Sequence, residues 1–487
     1  MAADQESMCT CHACLGIRVI IDSALKVLDL YRWMLDSYII DFFQDNLWDR
    51  LPRPWAKILE NVALDELGSW ILRERRPRHV WPLSLIALRR SIDLLSINRE
   101  PTARTRFTCK LSQRDPKESV KTCETLITKD KRLDKFENLF KKHVKQKKRY
   151  EIEKFSEIVA RCSELSNSSC IVDTGAGIGH LARELAYKYQ LAVICIEQDK
   201  SLSELARKYD EQFMKKFKTH LAGFCGVPPY HLCAKIVDES CTGDGLPAVF
   251  RGILRDYFSQ QSNDNGFGLI GLHPCGDLAA RLLKFYVGQQ NAKFISVVGC
   301  CYMKLTINED RTTSALGYPL SKYVERNSSH SLSYAALEVA CHAVENYCDK
   351  MKSNEYDDLK VHAYRATLEK ILVNKGGDVM RRGRVGSVKV NGGMSFQEYC
   401  RLATEKLDIN RRVNILEINH TEVEGCLAKW RHVAAFEALR FMLAPLVETV
   451  ILLDRFLFLS DNHFRPVLKA EFNPRLSPRN FVLTSIK

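Results

Sequence analysis

The chain has 487 residues, 46% of them apolar and 27% charged. Those fractions exclude a disordered or fibrous chain, and the length admits two or three domain-sized units. The formal net charge of +13 points toward a polyanionic partner, because phosphate backbones attract Lys and Arg and release counterions. Charge alone does not separate a nucleic-acid binder from an ordinary basic protein. No internal repeat of fixed period is present.

Eighteen cysteines are scattered along the chain, several inside apolar runs such as Val193-Ile194-Cys195-Ile196. No secretory pattern precedes them in the polar stretch from Met1 to Cys14, so a reducing compartment, cytosol or nucleus, is expected. Cys9, Cys11 and Cys14 lie close together with His12 between them, but no second pair follows nearby. A zinc site takes four ligands from paired spacings. The segment therefore reads as a flexible tail, and no metal is expected.

From Ile17 to about Leu95 apolar residues repeat at helical spacing, as in Ile20, Ala24, Val27, Leu28 and Tyr31. Pro52 and Pro54 separate one helix from the next. From about Asn98 to Asp134 apolar density falls, which predicts a linker. The basic run Lys141 to Arg149 follows and leads into a helix predicted over Tyr150 to Leu165, with Ile152, Phe155, Ile158 and Val159 as its stripe.

The pattern then changes to short apolar strands alternating with helices. Strands are predicted at Ser169–Asp173, Leu191–Glu197, Ala234–Asp238, Gly268–His273 and Phe294–Gly299, with helices at Leu181–Tyr189 and Ser201–Lys216. Such alternation predicts a parallel sheet covered on both faces. After Gly317 the chain is mostly helical to about Leu459, and it includes a basic loop with Arg381, Arg382 and Arg384. The run Phe441 to Leu459 is interrupted by Glu448, Asp454 and Arg455 and reads as a core helix, not a membrane span. Pro466–Phe472 and Asn480–Ile486 predict a C-terminal hairpin that completes the sheet. The predicted domains are a helical N-terminal module and linker (1–135), an α/β core (136–330), a helical insertion (331–440), and a last core helix with hairpin (441–487).

The most informative segment is Asp173-Thr174-Gly175-Ala176-Gly177-Ile178-Gly179, which follows a strand and opens a helix. Gly175 and Gly177 allow close backbone approach to a ligand, and Gly179 allows the helix to pack tightly. Dinucleotide sites usually place the third glycine one residue later. Asp173, before the first glycine, suits a cationic aminoacid group and repels a pyrophosphate. Glu197, ending the second strand, suits a pair of ribose hydroxyls. Together with Ala176 these residues favour S-adenosylmethionine over NAD. Asp238 is a candidate for the adenine amine, or a helix cap.

A second cluster, Leu272-His273-Pro274-Cys275-Gly276-Asp277, ends the fourth predicted strand, where open parallel sheets bind ligands. His273 is a candidate base and a candidate cofactor contact, and Asp277 a candidate for orienting substrate or capping the next helix. The fifth strand ends Cys300-Cys301-Tyr302-Met303-Lys304. Adjacent strand residues face opposite ways, so at most one of the two thiols is expected toward the pocket. Cys301 and Tyr302 are the candidates there, although a small buried thiol is the ordinary reading of such a cysteine. Cys275 with Cys300 or Cys301 also resembles the cysteine pair of RNA cytosine-5 methyltransferases.

These motifs, taken in order with Gly317-Tyr318-Pro319-Leu320-Ser321 and two C-terminal runs, Leu-Leu-Asp-Arg-Phe-Leu-Phe-Leu and Leu-Ser-Pro-Arg-Asn-Phe-Val-Leu, resemble the methyltransferase-like protein 25 family. Its relatives are sometimes labelled ribosomal-RNA adenine dimethylase domain-containing. The resemblance covers most of the chain. It implies a class I methyltransferase fold (α/β, Rossmann-like), with a seven-stranded sheet, an N-terminal helical module and a helical insertion before the hairpin. The implied cofactor is S-adenosylmethionine. The wider group is similar to a tRNA 2′-O-methyltransferase family, so RNA, tRNA or rRNA, is the implied substrate. Adenine-N6 enzymes place an Asn/Asp-Pro-Pro-Tyr-like motif where this chain has His273-Pro274-Cys275-Gly276, so adenine dimethylation is not expected. The reading is a cytoplasmic or nuclear RNA methyltransferase whose segments Lys141 to Arg149 and Arg381 to Arg384 contact phosphates. The helical flanks are available to a protein partner. The alternatives are a protein methyltransferase and a non-catalytic RNA- or protein-binding adaptor that retains the fold.

Overall fold

The computed structural model describes residues 8–101, 106–109, 144–220, 227–236, 266–307, 317–353, 356–376, 381–382, 385–386, 388, 393–405 and 420–487. They divide into two units. One comprises residues 1–22, 97–331 and 450–487, and the other residues 23–96 and 332–449.

The first unit is built on an eight-stranded sheet. Its strands are β1 (Arg106–Thr108), β2 (Cys170–Thr174), β3 (Ala192–Glu197), β4 (Tyr230–Cys233), β5 (Phe267–Cys275), β6 (Ala292–Cys300), β7 (Pro466–Ala470) and β8 (Phe481–Ile486), in the order β1-β7-β8-β6-β5-β2-β3-β4. Strands β2 to β6 are mutually parallel, and β8, β7 and β1 add antiparallel to the β6 edge. All of β2 is buried, as expected of a central strand covered on both faces. Helix Gln146–Ser166 turns Ile152, Phe155, Val159 and Cys162 inward at helical spacing, onto a core shared with Ile171, Leu181, Leu185 and Val193. The hairpin predicted at the C-terminus is present and pairs with β6 through Leu483 opposite Val297.

The topology locates the site. From β2 the chain moves outward to β3 and β4, then returns to the other side of β2 as β5. The helices after β2 and β5 therefore diverge, leaving a crevice at the carboxyl ends of these two strands.

Several expectations are corrected. The sheet has an eighth strand, β1, drawn from the stretch read as linker; three residues are too few to give an alternation signal. The third parallel strand is Tyr230–Cys233, ahead of the predicted Ala234–Asp238. The apolar run over 441–459 belongs to two helices, Trp430–Met442 and Ala444–Asp461, that meet at Leu443. Pro445 lies in the first turn of the second, where its missing N–H is tolerated. No helix among the described residues is long and apolar enough to cross a membrane. Asp454, which interrupts the run, is buried and accepts bonds from the Leu320 and Ser321 amides, each 2.8 Å, and from Ser321 Oγ at 2.7 Å.

The stretches predicted as an N-terminal module and a separate insertion form one helical unit. Helix Leu64–Leu72 packs against helix Val344–Lys352 so closely that a Cβ on Gly68 would lie 2.9 Å from the Cys348 carbonyl. Tyr347 donates to the Ala434 carbonyl at 3.1 Å, adding helix Trp430–Met442. Each stretch has an apolar face that the other covers, so neither closes a core alone.

The basic loop is also reassigned. Arg381 holds both oxygens of Asp45 at 2.6 Å, and Arg382 meets fully buried Asp41 at 2.7 Å while its guanidinium stacks 4.0 Å from the Tyr38 ring centroid. These guanidinium groups neutralise carboxylates of their own unit, which offsets the positive charge expected to meet phosphates. Gly383 and Arg384 lie outside the described residues. The double variant Arg381→Ala, Arg382→Ala strands a buried charge and is expected to cost roughly 2–3 kcal/mol of stability. Urea unfolding checks this, and an unchanged midpoint would mean the pairs contribute nothing.

Candidate active site

Strand β2 ends in Asp173 and Thr174, and the chain must turn at once into helix His180–Lys188. It does so through Gly175, Gly177 and Gly179, all left-handed, with φ of 70°, 56° and 74°. L side chains rarely adopt this region. The turn is latched to the end of β3, since the Gly175 N–H donates to the Ile196 carbonyl at 2.9 Å. A Cβ on Gly179 would lie 2.8 Å from the His231 ring, whereas one on Gly177 would meet nothing within 4 Å. Gly179 thus serves packing, and Gly177 has open space where a side chain would stand.

The loop is held by residues that the sequence reading did not single out. Arg183, fully buried, donates to the Ile178 carbonyl at 2.7 Å and to Asp210 Oδ1 at 2.5 Å. The second oxygen of Asp210 lies 2.5 Å from His231 Nε2 on β4. A buried Arg–Asp–His chain therefore fixes the glycine turn to the helix after β3 and to β4. Its sequence signal was a charge at 183 on an otherwise apolar helix face containing Leu181, Ala182, Leu185 and Ala186.

Two carboxylates flank the turn. Asp173 is 2% exposed, and burial pushes its carboxyl up to about 7, with Lys148 drawing it down and Glu197 raising it. A buried carboxylate in that state favours a cationic ligand. Glu197 accepts the Gly177 N–H at 2.9 Å with one oxygen and the Asp199 N–H at 3.0 Å with the other. Each oxygen keeps a second lone pair for a hydroxyl. Ala176 lies between the glycines and donates to Ile196. Asp238 lies outside the described residues.

The carboxyl end of β5 faces the same crevice. His273 has a left-handed φ of 66°, and its Nε2 lies 3.1 Å from Oε2 of buried Glu151 on helix Gln146–Ser166. Burial alone would raise the Glu151 carboxyl, but hydrogen bonds from His273 and Ser477 outweigh it and hold the group below its ordinary value. Glu151 thus orients the imidazole and leaves Nδ1 for a proton or a ligand. The sequence reading missed Glu151 because it sits within an amphipathic helix as one acid among several polar residues. Asp277 opens helix Asp277–Gly288 and binds the Thr306 N–H at 2.8 Å and the Thr306 hydroxyl at 3.0 Å. It thereby ties the segment after β6 to the end of β5. Tyr302 is 1% exposed, with Arg455 and Arg479 over its ring at 5.7 and 5.4 Å. Its ring is enclosed by these guanidinium groups.

The expectation that adjacent thiols point apart is overturned. Cys300 ends β6 in extended conformation, but Cys301 turns left-handed, with φ of 49°, and strand alternation stops there. Cys275 lies 3.4 Å from both Cys300 and Cys301, which are 3.7 Å from each other. The thiolate falls on exposed Cys275. Hydrogen bonds from Cys300 and Cys301, with the charge of Lys304, hold it down to about 5 against the opposing effect of burial. Burial and Cys275 push Cys301 upward. Of the three thiols, thiolate character is therefore concentrated on Cys275 rather than on the candidate Cys301. Three sulfurs are one short of a closed tetrahedral metal shell, and no fourth donor joins them among the described residues.

Residues 147–308, which contain the glycine turn and both cysteine motifs, match the family model described as a methyltransferase domain. The α/β region that carries the site is therefore similar to methyltransferase domains. The chain is 28% identical over 227 residues to the probable methyltransferase-like protein 25 of Homo sapiens, covering 45% of this chain and 36% of that protein. It is 29% identical over 227 residues to the Mus musculus protein of the same description, covering 45% and 37%. The chain spans little more than a third of the length of these curated relatives. A solved structure of the plantazolicin methyltransferase BpumL in complex with SAH aligns with 62% of this chain and 86% of its own, at 11% identity and a TM-score of 0.19. S-adenosylmethionine is the cofactor that the domain and the pocket fit. Asp173 offers a buried anion, Gly177 open backbone, and Glu197 two acceptor oxygens.

Two outcomes are expected. In ligand-free protein folded Asp173 titrates near 7, whereas the unfolded group titrates at about 3.9. The native state then holds a proton that the unfolded state has lost, so stability falls as pH rises from about 4 to 7. Asp173→Asn is expected to raise stability at pH 8 by on the order of 3 kcal/mol and to leave it unchanged near pH 4. Urea melts at both pH values check this, and equal loss at both would mean the carboxylate is stabilised where it sits. Separately, Cys275 is expected to be alkylated by iodoacetamide at pH 6.5, where an ordinary thiol is only about 1% ionised. Peptide mapping reads the site, and preferential labelling of Cys301 would reverse the assignment.

Proposed function

We propose that this chain transfers a methyl group from S-adenosylmethionine to an RNA, of the tRNA or rRNA class. The observation that carries the reading is the junction of β2 and β5. There Asp173, a ligand-accessible glycine turn, Glu197 and an oriented His273 share one crevice. When bound, the cofactor supplies an electrophilic methyl on a cationic sulfur. Asp173 holds the cationic end, Glu197 accepts the ribose hydroxyls, and the Arg183–Asp210 pair keeps the glycine turn in shape for both. His273, fixed by Glu151, takes the proton that a hydroxyl or amine acceptor loses. The remainder of the rate comes from positioning. An RNA acceptor is supported by the charge of the chain and by Lys145 and Lys148, both exposed at the start of helix Gln146–Ser166, with Lys148 close enough to influence Asp173. The family resemblance points the same way.

Calorimetric titration of the full chain with S-adenosylmethionine is expected to show one site, weakened about ten- to a hundred-fold by Asp173→Ala. Label from the methyl-tritiated cofactor should enter an RNase-sensitive fraction of cell extract. Lys145→Ala with Lys148→Ala should weaken RNA capture across sequences and lower the salt slope by about one for each phosphate no longer neutralised. Label in an RNase-resistant, protease-sensitive fraction would establish a protein acceptor instead. A folded wild type that binds no cofactor would leave the adaptor reading.

A further inference from the structure

The segment expected to be a flexible tail is part of the folded unit. Cys9 and Cys11 precede helix His12–Leu30, Cys14 lies in its first turn, and Cys109 directly follows β1. Cys9, Cys14 and Cys109 are buried and Cys11 partly so. From Cys109 Sγ the other sulfurs lie at 3.6 Å (Cys9), 3.8 Å (Cys11) and 3.8 Å (Cys14), and all four fall within 4.8 Å of one another. His12, which lies between Cys11 and Cys14 in sequence, is exposed and stands outside the group.

We infer that Cys9, Cys11, Cys14 and Cys109 form a closed tetrathiolate site for a structural zinc ion. Four sulfurs about 2.3 Å from a tetrahedral centre stand about 3.8 Å apart, which is the spacing around Cys109. A disulfide would bring two sulfurs to about 2.05 Å and leave the other two aside. All four positions come from cysteine, so the site has no open position for substrate. That composition selects a soft or borderline cation over magnesium or calcium.

The surroundings are those of a ligand shell. The Cys14 N–H points at Cys11 Sγ, 3.4 Å away. The Cys9 N–H donates to Asp461 at 3.0 Å, and Arg18, one turn beyond Cys14, pairs with the same oxygen at 3.2 Å. Thiolates accept such bonds more strongly than thiols, and outer partners of this kind orient ligands. Loading replaces the thiol protons, which leave to solvent, and no oxidation state changes.

The consequence is architectural. A strand of three residues, β1, is too short to hold an edge by itself. The metal would clamp it to the start of helix His12–Leu30 and, through Asp461, to the end of helix Ala444–Asp461.

The test is elemental analysis and zinc-edge X-ray absorption on the full chain, expressed with zinc and purified without chelator. The expected result is one zinc per chain with a first shell of four sulfurs at about 2.3 Å. Cys109→Ser should lose that metal, whereas a triple Cys275→Ser, Cys300→Ser, Cys301→Ser variant should retain it. If Cys109→Ser does not fold, the wild-type sulfur count and retention by the triple variant decide. The inference is overturned by folded wild type without stoichiometric metal. It is overturned equally by a disulfide within the four, or by metal lost with the triple variant and kept with Cys109→Ser.

Discussion

Everything at the site depends on how the chain leaves β2. That strand is buried along its whole length, so its last residues have no water to satisfy them and no room to turn with ordinary side chains. Three left-handed glycines solve the geometry, and the chain of Arg183, Asp210 and His231 holds the solution in place. A buried guanidinium is costly unless fully bonded. Here its bonds go to the Ile178 carbonyl, the Ala206 carbonyl and Asp210, so satisfying Arg183 and shaping the turn are one event. Asp173 is left beside the turn as a carboxylate that burial destabilises, which is the state a cationic ligand relieves.

Other buried charges serve the same end in different places. Asp454 gathers the Leu320 and Ser321 amides, and Arg455 lies over Tyr302, where a Cβ on Gly299 would collide with the guanidinium. Asp41 in the helical unit gathers Arg381 and Arg382. Asp454 and Asp41 each fix a segment, which apolar contact alone would position less sharply. Such residues make poor candidates for substrate contact, however basic or acidic they look in the sequence.

The two cysteine clusters differ in a way that separates chemistry from architecture. At the ends of β5 and β6 Cys275 is exposed while Cys300 is buried and Cys301 partly so, and their proximity concentrates negative charge on Cys275. The four near the N-terminus are closed off, and no sulfur among them is presented to a substrate. Reactivity belongs to the first group, and cross-linking of distant segments to the second.

Strand–helix alternation, the glycine turn and the acids ending β2 and β3 were legible from the sequence because they depend on local rules: short continuous apolar runs for buried strands, positive φ, and a carboxylate at a strand end. The hairpin was legible for the same reason, with a Pro-rich turn between two apolar runs. Partners set by the fold were not. Cys109 lies 95 residues from Cys14, and Glu151 meets His273 only because helix Gln146–Ser166 crosses the end of β5. The joining of 23–96 with 332–449 was equally invisible, since an apolar helix face does not state which other face will cover it. The sequence alone determined which residues have the chemistry for a cofactor pocket. Only the tertiary structure decided which charges are already spent on one another and which remain for a ligand, because pairing between distant residues is a property of their approach in space.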